Sequence, residues 1–399
     1  MKLIKRKYLD DLILMSGTPD IKVIMGIRRS GKSKLMESFI NYNIENRPDN
    51  NIIHINFALE EFENLREHRK LNEYVEQRYE KDKTNLLLID EVQRCKGFEE
   101  AITSLHATEK YDIYITGSNA FLLSSDLATL FTGRTMSLEI FPFSLAEFRE
   151  YYNLLPDETH SILNRYIEEG GMAGSYLYSQ IEQKHIYVKN VYETLITRDI
   201  KEKYRIKNDN LLNQVTDFLM DNIGCEVSPT KIANTLKSHG QKVNDKTISS
   251  YISYLCRAFV FYRVRRFDIA GKKYLASNDK YYLCDHSFKS SILGTKNFNR
   301  GRLLENIVAV ELLRRGYEIY TGVLYNCEID FVALKRNEKI YIQVSDDISS
   351  EETLERELKS LKKIKDSYPK ILLASTYQRQ YDIEGILVFD IEKWLQSQP

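Results

Sequence analysis

Residues 21–42 run I-K-V-I-M, then G-I-R-R-S-G-K-S, then K-L-M-E-S-F-I-N-Y. The eight central residues, Gly26–Ser33, fill every position of the pattern G-x-x-x-x-G-K-[ST]. Before them, Ile21–Met25 reads as a buried parallel strand, rich in β-branched and apolar side chains. After them, Leu35, Phe39 and Ile40 recur at helical spacing. A strand, a glycine loop and a helix N-terminus aim backbone N–H groups and the positive end of the helix at one point, which suits an anion. Gly26, Ile27, Arg28, Arg29, Ser30, Gly31, Lys32, Ser33 and Lys34 are expected to surround phosphate. Lys32 reaches the β- and γ-phosphates and Ser33 offers its hydroxyl to Mg²⁺.

A chain of 399 residues is too long for one core, and two or three domains are expected. Lys plus Arg equals Asp plus Glu, 57 of each, so any nucleic-acid contact needs a local basic face. Cys95, Cys225, Cys256, Cys284 and Cys327 are scattered with no C-x-x-C, which argues against a disulfide framework or a zinc site. No apolar run approaches a membrane helix. The start, M-K-L-I-K-R-K-Y-L-D, turns acidic too soon for a secretory signal. A cytoplasmic protein without membrane contact is the expectation.

Leu86-Leu87-Leu88-Ile89 leads into Asp90-Glu91. Four aliphatics ending in two acids describe a central strand with carboxylates at its tip, the Walker B arrangement. Asp90 is expected to hold Mg²⁺, and Glu91 to orient and polarise the attacking water as general base. Tyr111–Thr116 is a further strand, ending in Gly117-Ser118-Asn119-Ala120. Asn119 or Ser118 suits a sensor of the γ-phosphate, or both serve the turn. Arg134, in Thr132-Gly133-Arg134, is a finger on a neighbouring subunit's nucleotide in a homo-oligomer, a surface residue, or the partner of an acid in its own subunit.

From about 140 to 207 helical spacing dominates after Pro142, interrupted by Gly170-Gly171-Met172-Ala173-Gly174 and closed by Arg198-Asp199. This reads as a helical lid over the nucleotide. Residues 208–290 predict a first helix through Leu211–Leu219, a second from Ser228-Pro229-Thr230 and a third from Asn244. Two strands follow, Val260–Phe267 and Tyr274–Leu283, with a loop between them as a wing. The module predicts a winged helix. Lys242, Lys246, Lys272 and Lys273, with Arg263, Arg265 and Arg266, could meet phosphates of double-stranded DNA, although the third helix is poor in base-reading side chains. In residues 291–399, Glu305, Asp330 and Gln343 follow the order of PD-(D/E)XK nucleases. Ser345 stands where that order requires lysine, so cleavage is not expected unless Lys335 or Lys339 substitutes.

Together, G-I-R-R-S-G-K-S, L-L-L-I-D-E-V-Q, I-T-G-S-N-A and T-G-R-T-M-S-L-E-I-F-P-F-S-L-A-E-F resemble one family over essentially the whole chain. These are the prokaryotic AAA+-type ATPases, relatives of the archaeal ATPases near the STAND signalling NTPases, that carry a C-terminal winged helix and a PD-(D/E)XK nuclease-like domain. The resemblance implies ATP or dATP as ligand, Mg²⁺ and hydrolysis. It places Tyr8, within Arg6–Leu9, near the adenine. Members usually carry proline after the G-G-x motif, where this chain has Ala173. Winged helices of this class also pack on the nucleotide domain or on protein partners, so the middle module has two candidate occupants, DNA and protein.

The expected fold is α/β. A P-loop AAA+-like parallel sheet with its lid occupies 1–207, a winged helix 208–290, and a PD-(D/E)XK-like domain the remainder. The expected function is Mg²⁺-dependent hydrolysis of ATP to ADP by a nucleotide-gated switch. The alternative is a DNA-stimulated ATPase that moves or remodels nucleic acid.

Overall fold

The computed structural model describes residues 4–117, 131, 133–156, 160–238, 240, 243–271, 273–294, 298–376 and 380–397, with backbone only for 273–277. The chain divides into two compact units, residues 1–142 with 195–203, and residues 143–194 with 204–399.

The first unit is built on five parallel strands in the order β2-β3-β4-β1-β5. These are β1 (Ile21–Met25), β2 (Asn51–Asn56), β3 (Asn85–Asp90), β4 (Tyr111–Thr116) and β5 (Thr135–Glu139). β1 and β3 are buried throughout, as their near-continuous apolar runs require in a sheet covered on both faces. The exception is Lys22 in β1, which is buried and pairs with Asp112. Asp112 also accepts from the Tyr114 hydroxyl at 2.9 Å and the Gly17 amide at 2.9 Å. A buried ammonium is tolerated only with such partners. β4 lies between β3 and β1, so the phosphate loop and the acidic pair sit on strands two apart, with the tip of β4 between them.

The second unit holds a mixed sheet of eight strands, β12-β13-β11-β10-β9-β8-β6-β7. β6 (Phe261–Asp268) and β7 (Lys273–Leu283) form the antiparallel pair expected after the three helices. Those helices are Asp209–Asp221, Pro229–Ser238 and Asp245–Arg257, and each begins where a side-chain cap stands. Asn208 accepts from the Leu211 amide at 3.0 Å, Ser228 from Lys231 at 3.2 Å and Asn244 from Lys246 at 2.8 Å. β6 also pairs in parallel with β8 (Glu318–Leu324), and the sheet continues through β9 (Cys327–Lys335), β10 (Glu338–Asp347), β11 (Lys370–Ser375), β12 (Gln380–Ile383) and β13 (Ile386–Asp390).

The units differ from the expected division in two places. The strand pair β6–β7 is continuous with the C-terminal sheet, so no unit boundary falls near 290. Residues 143–194 belong to the second unit, and the Gly170-Gly171 pair shows why. A Cβ on Gly170 would lie 2.4 Å from the Ser287 side chain, and one on Gly171 would lie 2.4 Å from the Phe143 carbonyl oxygen. The Gly171 amide donates to Asp285 at 2.8 Å. His286 contacts the Tyr166 carbonyl at 2.8 Å, and Phe148, Tyr151, Tyr152, Tyr166 and Tyr176 form one aromatic cluster. All five cysteines are free thiols, and no described helix is long and apolar enough to cross a membrane.

Candidate functional site

The loop after β1 depends on backbone that few residues adopt. Gly26 has φ +139°, Arg29 +68° and Gly31 +102°. A Cβ at Gly26 would stand 2.2 Å from the Ile140 carbonyl oxygen, so the chain passes there only because the position is glycine. Lys32 opens the helix Lys32–Asn46, and its side chain folds back into the loop. Its ammonium donates to the carbonyls of Gly26 at 2.7 Å and Ile27 at 3.0 Å. Burial lowers this lysine to about 8, against the pull of Glu91, Asp199 and Asp90. Ser30 is also buried, and its hydroxyl finds no hydrogen-bond partner among the described residues. Arg6 braces the loop from outside, donating to the carbonyls of Ser30 and Phe141, each at 2.9 Å.

Asp90 is 2 % exposed at the tip of β3. One of its oxygens accepts from the Thr116 hydroxyl and, at 3.1 Å, from the Glu91 amide. The Glu91 amide also reaches the Thr116 oxygen at 3.3 Å. Thr116 ends β4, is fully buried, and ties the acidic pair to the strand beside the phosphate loop. Glu91 adopts φ +57°, which turns it out of the strand, and its carboxylate accepts from the Gln93 amide at 2.6 Å. Ser33 is exposed in the first turn of its helix.

These residues fit a nucleoside polyphosphate with Mg²⁺. The loop follows a path that glycine at 26 permits, and among the described residues it holds a buried hydroxyl without a partner and an ammonium met only by loop carbonyls. Ser33 and Asp90 would hold the metal, an oxygen donor set suited to Mg²⁺.

A further contact was not legible in the chain. The Arg28 guanidinium makes a two-pronged pair with Asp199, 3.1 Å and 2.7 Å, and this holds Arg28 above the usual arginine range. Asp199 lies in the π-helical stretch Leu195–Glu202, which belongs to the first unit. Asp199→Ala should lower the midpoint of thermal unfolding by about 2–5 °C, because a half-buried guanidinium loses its partner. An unchanged midpoint would show the pair to be idle.

Other expected residues fall variously. Lys34 is exposed and paired with Glu37. Tyr8 is buried, under the Arg6 guanidinium at 4.7 Å from its ring, and its hydroxyl accepts from the Phe141 amide at 3.3 Å. Arg134 is exposed immediately before β5. Ser118, Asn119, Thr132, Lys242 and Lys272 lie outside the described residues, as does the side chain of Lys273. Of the arginines on β6, Arg263 pairs with Asp279 at 2.6 Å and Arg266 with Glu226 at 3.2 Å, while Arg265 is exposed, as is Lys246.

In the second unit, neither expected substitute lysine meets the acids. Lys335 donates to the Arg315 carbonyl at 2.7 Å, and Lys339 pairs with Asp366 at 3.2 Å. Ser345 is buried and donates to the Asp347 carbonyl at 3.1 Å. The cation beside Glu305 is instead Lys280, from β7. Asp330 accepts from the Val344 amide at 2.8 Å, and its own amide donates to Gln343 at 3.3 Å.

Residues 18–149 match the family model of an AAA domain, and residues 160–299 match a domain of unknown function (DUF8612). Among solved structures, the chain is similar to the Walker-type ATPase PABY2304 of Pyrococcus abyssi, with TM-score 0.47, 18% identity, and coverage of 72% of this chain and 95% of that one. It is also similar to the Aeropyrum pernix ORC1 protein in complex with DNA, with TM-score 0.31, 11% identity, and coverage of 79% and 95%. An uncharacterized protein of Haemophilus influenzae is 36% identical over 398 residues, 98% of both chains. The uncharacterized protein MJ1544 of Methanocaldococcus jannaschii is 31% identical over 360 residues, 87% of this chain and 79% of its own. The chain thus belongs to the family these two proteins represent, P-loop proteins with an N-terminal AAA domain.

Proposed function

We propose that the protein binds ATP with Mg²⁺ and hydrolyses it to ADP and phosphate, working as a nucleotide-gated switch. The observation that carries the reading is the placement of Lys32 beyond β1 and of Asp90 and Glu91 at the tip of β3, two strands away, with Thr116 of the strand between them bonded to the acidic pair. Lys32 exchanges its two carbonyl acceptors for β- and γ-phosphate oxygens, joined by the loop amides and the helix N-terminus. Ser33 and Asp90 would hold Mg²⁺, which would supply charge neutralisation at the phosphates. Thr116 keeps the Asp90 carboxylate in one orientation. Glu91, fixed by Gln93, takes the proton of the attacking water. Asn119 is the proposed γ-phosphate sensor, Arg134 the proposed finger on a neighbouring copy in a homo-oligomer, and Tyr8 the proposed neighbour of the base.

The three helices with β6 and β7 are read as a winged helix, and the remaining strands as a PD-(D/E)XK-like domain that does not cleave. The switch is favoured over a DNA-driven motor by the state of the basic face. Arg263 and Arg266 are committed to ion pairs within the protein, so fewer charges are available to displace counterions from DNA. Steady-state ATP hydrolysis should therefore change by less than about twofold when double-stranded DNA is added. A tenfold or larger stimulation, of the order expected of an ATPase gated by nucleic acid, would instead support the remodelling reading.

A further inference from the structure

Where the second unit is read as a nuclease-like fold, a divalent ion should sit among Glu305, Asp330 and the residue at 343. The residues present do not fit one. Lys280 projects from β7 with its side chain 4 % exposed, and its ammonium lies 3.0 Å from Glu305 and 2.7 Å from Glu328. The same Glu305 oxygen accepts from the Tyr282 hydroxyl at 2.7 Å. Behind Glu305 stands Gly224, φ +70°, where a Cβ would come within 3.0 Å of the other carboxylate oxygen. Gln343 contributes no charge and is engaged with the Asp330 amide and, at 3.1 Å, with Glu357. Among the described residues, no group of three or more His, Cys, Asp or Glu side chains could hold a metal ion, so an ion admitted in place of the Lys280 ammonium would rest on fewer than three of them, completed by water.

We propose that Lys280 is the resident cation of this acid cluster: its ammonium takes the place of a divalent ion among Glu305, Glu328 and Asp330, and the unit is a metal-free scaffold. The chemistry supports a substitution of one cation for another. A buried ammonium is costly without hydrogen-bonding or carboxylate partners, and clustered carboxyls are costly unless a cation or a proton lies among them. Lys280 satisfies both demands from within the chain. β7 and β9, which carries Glu328 and Asp330, belong to one sheet with β8 and β6 between them, and the Lys280 side chain spans to Glu305 and Glu328. The ion pair therefore links the strands of the expected wing to the acids of the expected nuclease core.

The test uses the full chain without nucleotide. Thermal unfolding and Mn²⁺ binding, the latter by water-proton relaxation, are followed in wild type, Lys280→Met, Glu305→Gln and the double variant. Wild type and Glu305→Gln should bind Mn²⁺ alike. Lys280→Met should unfold earlier in chelator, be restored by about 2–8 °C in millimolar Mn²⁺, and lose that response when Glu305→Gln is added. One equivalent of Mn²⁺ bound by wild type and lost in Glu305→Gln would overturn the proposal. So would a folded Lys280→Met that gains no site, or Mn²⁺-dependent plasmid nicking by wild type that Glu305→Gln abolishes. If Lys280→Met does not fold, the comparison of wild type with Glu305→Gln decides alone.

Discussion

Lys32→Ala is expected to abolish detectable ATP binding and to reduce hydrolysis by about two to three orders of magnitude, the scale for losing one preorganised charged contact. The side chain is buried in the loop and, among the described residues, gives its protons only to the carbonyls of Gly26 and Ile27. Those carbonyls are weak partners for an ammonium compared with phosphate oxygens, so binding energy is held for the nucleotide. The alanine variant should fold, because the loop is also braced by Arg6 on Ser30 and by the Arg28–Asp199 pair. The same lysine sets a pH dependence. Burial holds it near 8 in the free protein, below its ordinary 10.5. Above pH 8 nucleotide binding must recharge it, so affinity should fall by about tenfold per pH unit until the bound form itself titrates. The sign for stability is opposite. The cost of burying the charged form is fully present below pH 8 and disappears as pH rises toward the unfolded value. Calorimetric titration with ATP from pH 7 to 10 reads the first effect and thermal unfolding over the same range the second, and undiminished binding by Lys32→Ala would remove the loop from the site.

Glu91→Gln should retain ATP binding while turnover falls by about 10²–10⁴, the range for losing a general base. Glu91 is turned out of β3 by its left-handed backbone and is half-buried, with Gln93 on one carboxylate oxygen. Glutamine keeps the size and hydrogen-bonding reach of the side chain but cannot take a proton, so the substitution separates proton acceptance from positioning. Nucleotide trapped on the variant should be ATP, and on wild type ADP, when the protein is desalted and its ligand identified by chromatography. Wild-type turnover in Glu91→Gln would assign the base elsewhere.

The parts of this protein that were legible in the chain are contiguous. The strand, loop and helix of residues 21–42 announce themselves because β1, three positive-φ positions and the helix N-terminus follow one another with no intervening fold. The apolar run into Asp90-Glu91 is legible for the same reason, as are the caps at Asn208, Ser228 and Asn244. Along the chain Lys335 and Lys339 stand close to the acids as substitute lysines, whereas the cation beside Glu305 stands on β7. The expected boundaries at 207 and 290 followed changes of pattern along the chain, whereas strand pairing runs across the second of them. Sequence by itself determined the strand, loop and helix of residues 21–42 and the local elements, since period, cap and glycine act over a few residues. Only the tertiary structure decided the partners: Thr116 with Asp90 across 26 positions, Arg28 with Asp199 across 171, and Lys280 with Glu305 across 25. Those pairings are set by how strands order in a sheet and by the cost of burying a charge alone, and neither leaves a periodic mark on the chain.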